Sequence, residues 1–262
     1  MTGRAGAIVC PPNLSIPELA PWQWIVGTVA AVLVGVAKTG VPGFGILAVP
    51  LMVLAVGDAR HSAGWLLPLL CVADVVAVAI YRRRAYARSL LVLLPWVLMG
   101  MAAGGFALGA PERVLRPTVA VIVIAMILFR WLRMRRHQPA VLHTRRHAVV
   151  YGGAAGFATT IANAAGPIMN LYLLAKRLPK DEFVGTGAWF FLIVNLCKLP
   201  VYIGHGFING PSLAFDALLV PSVIAGAGLG RWLVRRIRQE TFERLVLALT
   251  ILAAALLFVP RS

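Results

Sequence analysis

Two lysines and one aspartate stand inside long apolar runs of this chain, where a charge is costly. Lys38 lies in VGVAKTGVPGFGILAVPLMV, Asp74 in LLCVADVVAV, and Lys198 in IVNLCKLPVY. A charged side chain at the centre of a bilayer costs at least ~2.5–3.5 kcal/mol on insertion scales, so such residues mark ion and substrate pathways. Lysine attracts anions, and a carboxylate can carry a proton. The pattern predicts an anion-binding site with Asp74 as its ion-coupling group; the alternatives are lysines that snorkel to the interface and a structural ion pair.

Uncharged donors and glycines accompany these charges. Asn195 precedes Lys198 by three residues, which places both on one helical face. Glycine allows positive φ and a close backbone approach to a solute. The predicted substrate-binding set is Lys38, Thr39, Gly43, Gly45, Thr160, Asn163, Gly166, Asn195 and Lys198, with no metal ligands in it. For the asparagines, hydrogen bonding between helices is the alternative interpretation.

The composition indicates what surrounds these residues. Hydrophobic residues make up 60% of the chain and charged residues only 13%, with a mean hydropathy of +0.84. Soluble domains carry about 25% charged residues, so this chain has too few to cover a surface facing water. The apolar runs are continuous rather than alternating, which favours helices over a β-barrel. We therefore expect an all-α polytopic protein of the inner (plasma) membrane, with the lipid bilayer as a partner.

The net charge of +16 comes largely from three arginine-rich clusters between apolar segments. Clusters of this kind are typical of cytoplasmic loops under the positive-inside rule. No aromatic interleaving or binding motif accompanies them, so we expect no nucleic-acid partner.

Ten apolar segments can be recognised in the chain. The first two of each half are short for a spanning helix, which needs about 20 residues, and the other three are long enough. The first five run 22–37, 44–56, 63–80, 89–109 and 114–132, and the last five run 147–163, 166–177, 185–204, 213–233 and 243–259.

The two halves match at one spacing. Gly35 and Gly156 are 121 residues apart (156 − 35 = 121), and a shared offset without a gap indicates an internal duplication. The other pairs at this spacing are Thr39 with Thr160, Gly45 with Gly166, Gly64 with Gly185, Tyr81 with Tyr202, Gly105 with Gly226 and Gly109 with Gly230.

Loop charges predict that the two copies face opposite ways across the membrane. YRRRAYAR follows the third segment of the first half, whereas its counterpart GHGFINGPS carries no Lys or Arg. The fold class predicted is two inverted-topology repeats, each a broken or re-entrant helix pair followed by three transmembrane helices. The predicted divisions are an extracytoplasmic segment (1–21), a first repeat (22–132), a basic cytoplasmic linker (133–146) and a second repeat (147–262).

The glycine-rich breaks are predicted to lie at the tips of these pairs. Non-helical backbone at membrane depth is tolerated where protein or a water-filled cavity surrounds it. KTGVPGFG would form the first tip and TTIANAAGP the second. The second helix of each pair would present its N-terminal N–H groups and positive dipole end there. Two such ends that meet near the midplane would favour an anion.

The motifs GVAKTGVPGFGILAVPLM and GFATTIANAAGPIMNLYLL, followed by LPKDEFVGTGAWFFLIVN, resemble the two halves of the sulfite exporter TauE/SafE family. The resemblance covers about residues 25 to 258. It implies a membrane permease for sulfite, sulfonates and related sulfur-containing organic anions, and it favours export as the direction.

Together these features predict a secondary transporter of small anions that works by alternating access, with proton coupling at Asp74. An anion channel or a non-transporting membrane scaffold is the alternative. A membrane-embedded enzyme would need a motif such as HExxH or GxSxG, and neither occurs. We therefore expect no enzyme and no cofactor.

Overall fold

The computed structural model describes residues 16–107, 118–119, 121–128, 132, 145–162 and 164–256. Regular secondary structure in these ranges is helical throughout, and residues 121–128 form a helical stretch between α4 and α5. The other helices are α1 (Pro21–Thr39), α2 (Gly45–Val56), α3 (Ala59–Tyr81), α4 (Ala87–Ala107), α5 (Arg145–Ala162), α6 (Ala165–Ala175), α7 (Lys180–Gly204), α8 (Gly210–Arg236) and α9 (Gln239–Leu256).

Five of the described helices are long and apolar enough to cross a membrane: α1, His61–Tyr81 of α3, α4, α7 and α8. Large apolar side chains lie exposed on their outer faces; Leu91 and Phe106 are 72% and 92% exposed. Lipid is the solvent that suits such a surface. The predicted all-α polytopic membrane protein is confirmed.

The two broken pairs differ from the expectation in one respect. Helices α2 and α6 have 12 and 11 residues, too few to span ~30 Å of hydrocarbon. Helices α1 and α5, which we expected to be short, have 19 and 18 residues and reach ~28 and ~27 Å at 1.5 Å per residue. The apolar segment from residue 22 to 37 predicts too short a length for α1, because the helix continues through the polar Lys38 and Thr39.

Glycines bring α1 against α8 at backbone contact distance, and the two helices run parallel. A Cβ at Gly35 would clash with the carbonyl oxygen of Val223, and one at Gly226 with that of Val32. Small residues four apart allow this approach in membrane helices, where no hydrophobic effect drives helices together. Only glycine fits at these two positions.

Helices α5 and α4 pack in the same manner. A Cβ at Gly156 would clash with the carbonyl oxygen of Val97, and one at Gly100 with that of Gly153. Both helix pairs are therefore joined by glycine contacts between backbones.

Comparison of the two pairs corrects part of the sequence alignment. Helices α1 and α5 correspond at 121 residues, but the packing glycines of α4 and α8 correspond at 126 (226 − 100 = 126). The predicted counterpart of Gly226 was Gly105, yet a Cβ at Gly105 would meet nothing within 4 Å. Five additional residues in the second half, between Tyr202 and Val223, account for the shift.

Helices α3 and α7 lie antiparallel. Gly64, near the start of α3, contacts Phe207 beyond the end of α7, and Gly185, near the start of α7, contacts Tyr81 at the end of α3. When one copy of a repeat is inverted, equivalent helices of the two copies run antiparallel, and the start of each can lie against the end of the other. The orientation of each copy in the membrane stays a prediction.

At one end of the molecule, contacts join α1, α3, α7 and α8. The Tyr81 hydroxyl donates to the carbonyl of Thr39 at 2.7 Å. The Arg231 guanidinium lies 4.5 Å from the Tyr81 ring centroid and donates to Asp181 at 2.9 Å. YRRRAYAR and the arginines that end α8 thus share this end, the distribution that the positive-inside rule requires of a cytoplasmic face.

Candidate functional site

A sharp turn at residues 40–44 separates α1 from α2. The Gly40 N–H bonds to the Val36 carbonyl at 2.8 Å and ends α1. Gly43 has φ +122°, and a Cβ there would lie 2.5 Å from that of Leu249 on α9. Both the backbone conformation and the close approach require glycine at this position.

The start of α2 already uses part of its backbone donors. The N–H groups of Ile46 and Leu47 bond to the carbonyls of Gly43 and Phe44, each at 3.1 Å. Fewer N–H groups than predicted are therefore available to a solute at this helix end, and recognition of charge depends more on side chains.

The second turn connects α5 to α6. The Ala164 N–H bonds to the Ala158 carbonyl at 3.1 Å, and Pro167 stands in the first turn of α6, where its missing N–H costs no helical bond. A Cβ at Gly166 would meet nothing within 4 Å, so this glycine leaves open space. Asn163, predicted as a donor here, lies outside the described residues.

Three of the predicted residues form one buried polar cluster. Lys38 Nζ lies 2.8 Å from Asp74 Oδ1, and Asn195 Nδ2 donates to Asp74 Oδ2 at 2.7 Å. The Asp74 side chain is fully buried, and that of Lys38 is 13% exposed. Asp74 therefore supplies the counter-charge that allows a lysine to be buried within these apolar helices.

A second buried lysine lies beside this cluster. Lys198 is 5% exposed, and its Nζ lies 3.4 Å from Thr159 Oγ1. Lys38 Nζ also lies 4.2 Å from the ring centroid of Phe191, within range of a cation–π contact. With both lysines charged, the cluster holds two positive charges against the one negative charge of Asp74.

A cavity of about 290 Å³ lies next to the cluster. Its walls are formed by the two turns, by α2, α6 and α9, and by parts of α1, α3, α5 and α7. The predicted site residues that line it are Lys38, Gly43, Gly45, Gly166 and Asn195. Asp74 and Lys198 do not line it but contact residues that do.

Much of the lining consists of residues 121 apart. Each half contributes one member of every pair, so the cavity lies where the two halves meet. The pairs are Lys38 with Thr159, Gly43 with Ala164, Gly45 with Gly166, Ile46 with Pro167, Val49 with Asn170 and Leu70 with Phe191.

Two predicted site residues lie elsewhere. Thr39 Oγ1 lies 2.7 Å from the carbonyl oxygen of Ala227, and Thr160 Oγ1 lies 3.3 Å from that of Met101. Neither threonine lines the cavity. We therefore correct their role to the packing of α1 on α8 and of α5 on α4, because each hydroxyl faces a neighbouring helix.

Sequence reasoning missed Thr159 and Phe191. Thr159 could have been found, since it stands 121 residues after Lys38. Phe191 carried no comparable signal in a chain rich in apolar residues. Its equivalent Leu70 also lines the cavity.

Another buried carboxyl lies outside the cluster. Asp216 on α8 is 5% exposed, and both its oxygens lack a hydrogen-bond partner among the described residues. It lines no part of the cavity. Among all the described residues, no group of His, Cys, Asp and Glu could hold a metal ion.

Comparison with known proteins gives one match. The family model described as sulfite exporter TauE/SafE matches residues 25–257. No curated protein and no solved structure matches the chain. The family is one of membrane permeases for sulfur-containing anions, in agreement with the helices that can span a bilayer and with a buried cluster rich in lysine. The chain belongs to the sulfite exporter TauE/SafE family.

Proposed function

We propose that this protein is a secondary transporter of a small sulfur-containing anion, and that the cavity between the two turns is its substrate site. The observation that carries the proposal is Lys38, a largely buried lysine in a helix long enough to span a membrane, on the wall of that cavity. Asn195 and Thr159 line the cavity beside it and can donate to an oxyanion. Hydrogen bonds to a charged partner contribute about 1.5–3 kcal/mol each, enough to hold a small anion with few contacts.

Asp74 gives this site a means of ion coupling. While it is ionised, Asp74 holds Lys38 at 2.8 Å and competes with the substrate for the ammonium group. A proton on Asp74 removes that competition and frees Lys38 to bind the anion. Proton and anion would then occupy the site together, as in a coupled transporter.

Alternating access needs one end of the cavity to close while the other opens. The end that carries the basic clusters is held by Arg231 with Asp181, and by Lys180 Nζ, which donates to the carbonyls of Val234 and Ile237. We propose that this is the closed cytoplasmic face of an outward-facing state in the inner membrane. In an inverted repeat, rocking of one half against the other would exchange the open end. Export is the direction that the family description favours.

Counterflow in proteoliposomes tests the proposal. Vesicles loaded with unlabelled sulfite or ethanesulfonate should accumulate the labelled anion from outside, with saturation. Lys38→Met should slow uptake roughly 10- to 100-fold, the loss expected when one charge-assisted contact is removed. Lys176→Met is the matched control, because Lys176 follows α6 and does not line the cavity. It should leave uptake unchanged.

The outcomes separate the candidate functions. Wild-type uptake by Lys38→Met would contradict the site. Flux that follows only the anion gradient, without saturation or counterflow, would identify a channel. Absence of flux for every sulfur anion tested would leave a non-transporting scaffold and refute the proposal.

A further inference from the structure

The polar and apolar groups of the cavity are segregated. The polar side chains Lys38, Thr159 and Asn195 on the lining come from α1, α5 and α7. Apart from Thr250, the side chains that α2, α3 and α9 contribute to the lining are apolar, among them Ile46, Val49, Leu66, Leu70 and Leu249. A cavity that is charged at one place and apolar elsewhere is complementary to an amphiphilic solute.

The remaining polar side chains on the lining do not change this division. Asn170 Nδ2 donates to Thr250 Oγ1 at 3.2 Å, and Thr250 Oγ1 donates to the Val246 carbonyl at 2.7 Å. Each of these two side chains therefore already has a hydrogen-bond partner within the protein. Lys38 is the charged side chain among the lining residues, so the head of an anion is expected to bind there.

The volume of the cavity exceeds what a bare oxyanion needs. A cavity of about 10–15 Å³ suffices for one water, so about 290 Å³ leaves room for far more than one small oxyanion. Sulfite has four heavy atoms and would leave most of the aliphatic wall in contact with water. Contact between apolar wall and an apolar substituent is favourable by about 25 cal/mol per Å² removed from water.

We propose that the preferred substrate is an organic anion with one sulfonate head and an apolar tail of about four to six carbons. Its head would bind Lys38, and its tail would lie against Ile46, Val49 and Leu249. This inference rests on the proposed function and narrows its substrate class. The family description names sulfite, which lacks the tail.

Calorimetric titration of the purified protein with a chain-length series tests the inference. The probes are sulfite and the methane-, ethane-, butane- and hexanesulfonate anions. Burial of one CH₂ group contributes about 0.8 kcal/mol, so affinity should rise about fourfold per added methylene as far as butanesulfonate or hexanesulfonate. Sulfite should bind more weakly than butanesulfonate.

Three variants separate head from tail. Val49→Thr keeps the side-chain volume but places a hydroxyl on the apolar wall, so it should flatten the dependence on chain length. Ile46→Ala, which removes tail contacts without adding a polar group, should also weaken the longer members most. Lys38→Met should weaken every sulfonate by a similar factor.

Each result decides between named occupants. If sulfite binds as tightly as butanesulfonate, or if the affinity of the wild type does not depend on chain length, the inference of an amphiphilic substrate is refuted. The proposed transport of small anions would still stand. If butanesulfonate and hexanesulfonate bind Lys38→Met as tightly as the wild type, the cavity is a space for lipid chains that does not recognise the head, which also refutes the inference. If no anion of the series binds the wild type, the proposed function fails with it.

Discussion

Equivalent positions of the two halves carry different side chains at and beside the cavity. The first half places Lys38 and Asp74 where the second places Thr159 and Asn195, 121 residues later. The packing residues around them do not differ in this way, since Gly35 and its counterpart in α5 each allow backbone contact with a neighbouring helix. Duplication has thus kept the contacts that build the scaffold, while at these two positions only the first copy carries a charge. The buried Lys198 of the second copy has Ala77 as its counterpart, so a symmetric scaffold holds an asymmetric arrangement of charge.

The largest effect should come from filling the packing glycines, with the same result in both halves. Gly35→Leu and Gly156→Leu each force a side chain into a neighbouring backbone carbonyl, so neither protein should be recovered folded. Size-exclusion profiles and thermal melts of the purified proteins measure this. Gly153→Ala and Gly228→Ala are the controls, because a Cβ at either position meets nothing within 4 Å. If Gly156→Leu folded and Gly35→Leu did not, the two halves would not depend equally on close helix packing.

Substitutions of Asp74 and of its counterpart Asn195 should lower the stability by unequal amounts. Asp74→Ala leaves Lys38 buried without its counter-charge and should lower the free energy of unfolding by about 3–5 kcal/mol. Asn195→Ala removes one hydrogen bond to Asp74 and should cost about 1–3 kcal/mol. Denaturation of both variants under one condition compares them.

The double variant Lys38→Met with Asp74→Leu is the control for that comparison, because it removes both charges at once. It should regain most of the stability that Asp74→Ala loses. Equal losses for Asp74→Ala and Asn195→Ala would mean that charge does not distinguish the halves.

The threonines that bond to neighbouring helices should again behave alike. Thr39→Val and Thr160→Val each remove a hydroxyl that contacts a helix carbonyl, at a cost of about 1 kcal/mol. Thr39 should show the larger effect, because it is fully buried and its contact with Ala227 is the shorter. Thermal melts measure the difference, and counterflow of both variants should remain close to wild type. A loss of transport beyond the loss of folded protein would return these residues to the substrate site.

The smallest change should follow substitution of Asp216, whose carboxyl has no hydrogen-bond partner among the described residues. Asp216→Leu removes a buried polar group that makes no hydrogen bond with the described residues, and it should raise stability by up to about 1 kcal/mol. Substitution of Asp74 would then lower the stability and substitution of Asp216 would raise it. Thermal melts of the two variants measure both changes. Destabilisation of more than about 1 kcal/mol would mean that the Asp216 carboxyl contributes to the fold.

The helices and their lipid-facing character could be predicted from the sequence because hydropathy and glycine spacing act locally. The buried charges were found for the same reason, since Lys38 and Asp74 interrupt apolar runs. The partner of Asp74 could not be assigned, because an ion pair between α1 and α3 depends on how the helices pack. Thr39 was taken for a ligand since its position beside the turn suggested one, whereas its side chain points to α8.

The alignment of α4 with α8 failed for a different reason. A single offset cannot accommodate a local insertion, and the abundance of glycine made Gly105 as plausible a match as Gly100. Only the close contacts of Gly100 and Gly226 identify the equivalent positions. The apolar wall of the cavity was likewise invisible in the sequence, because Val49 and Leu249 resemble every other aliphatic residue of a membrane helix.

The most direct test of the account is a structure of the protein with 4-bromobutanesulfonate, in which anomalous scattering locates the bromine and density locates the sulfonate. The account predicts a sulfonate within hydrogen-bond distance of Lys38 Nζ and a bromine among the aliphatic residues of α2 and α9. A sulfonate found only on the arginine clusters, with the cavity free of density, would contradict it.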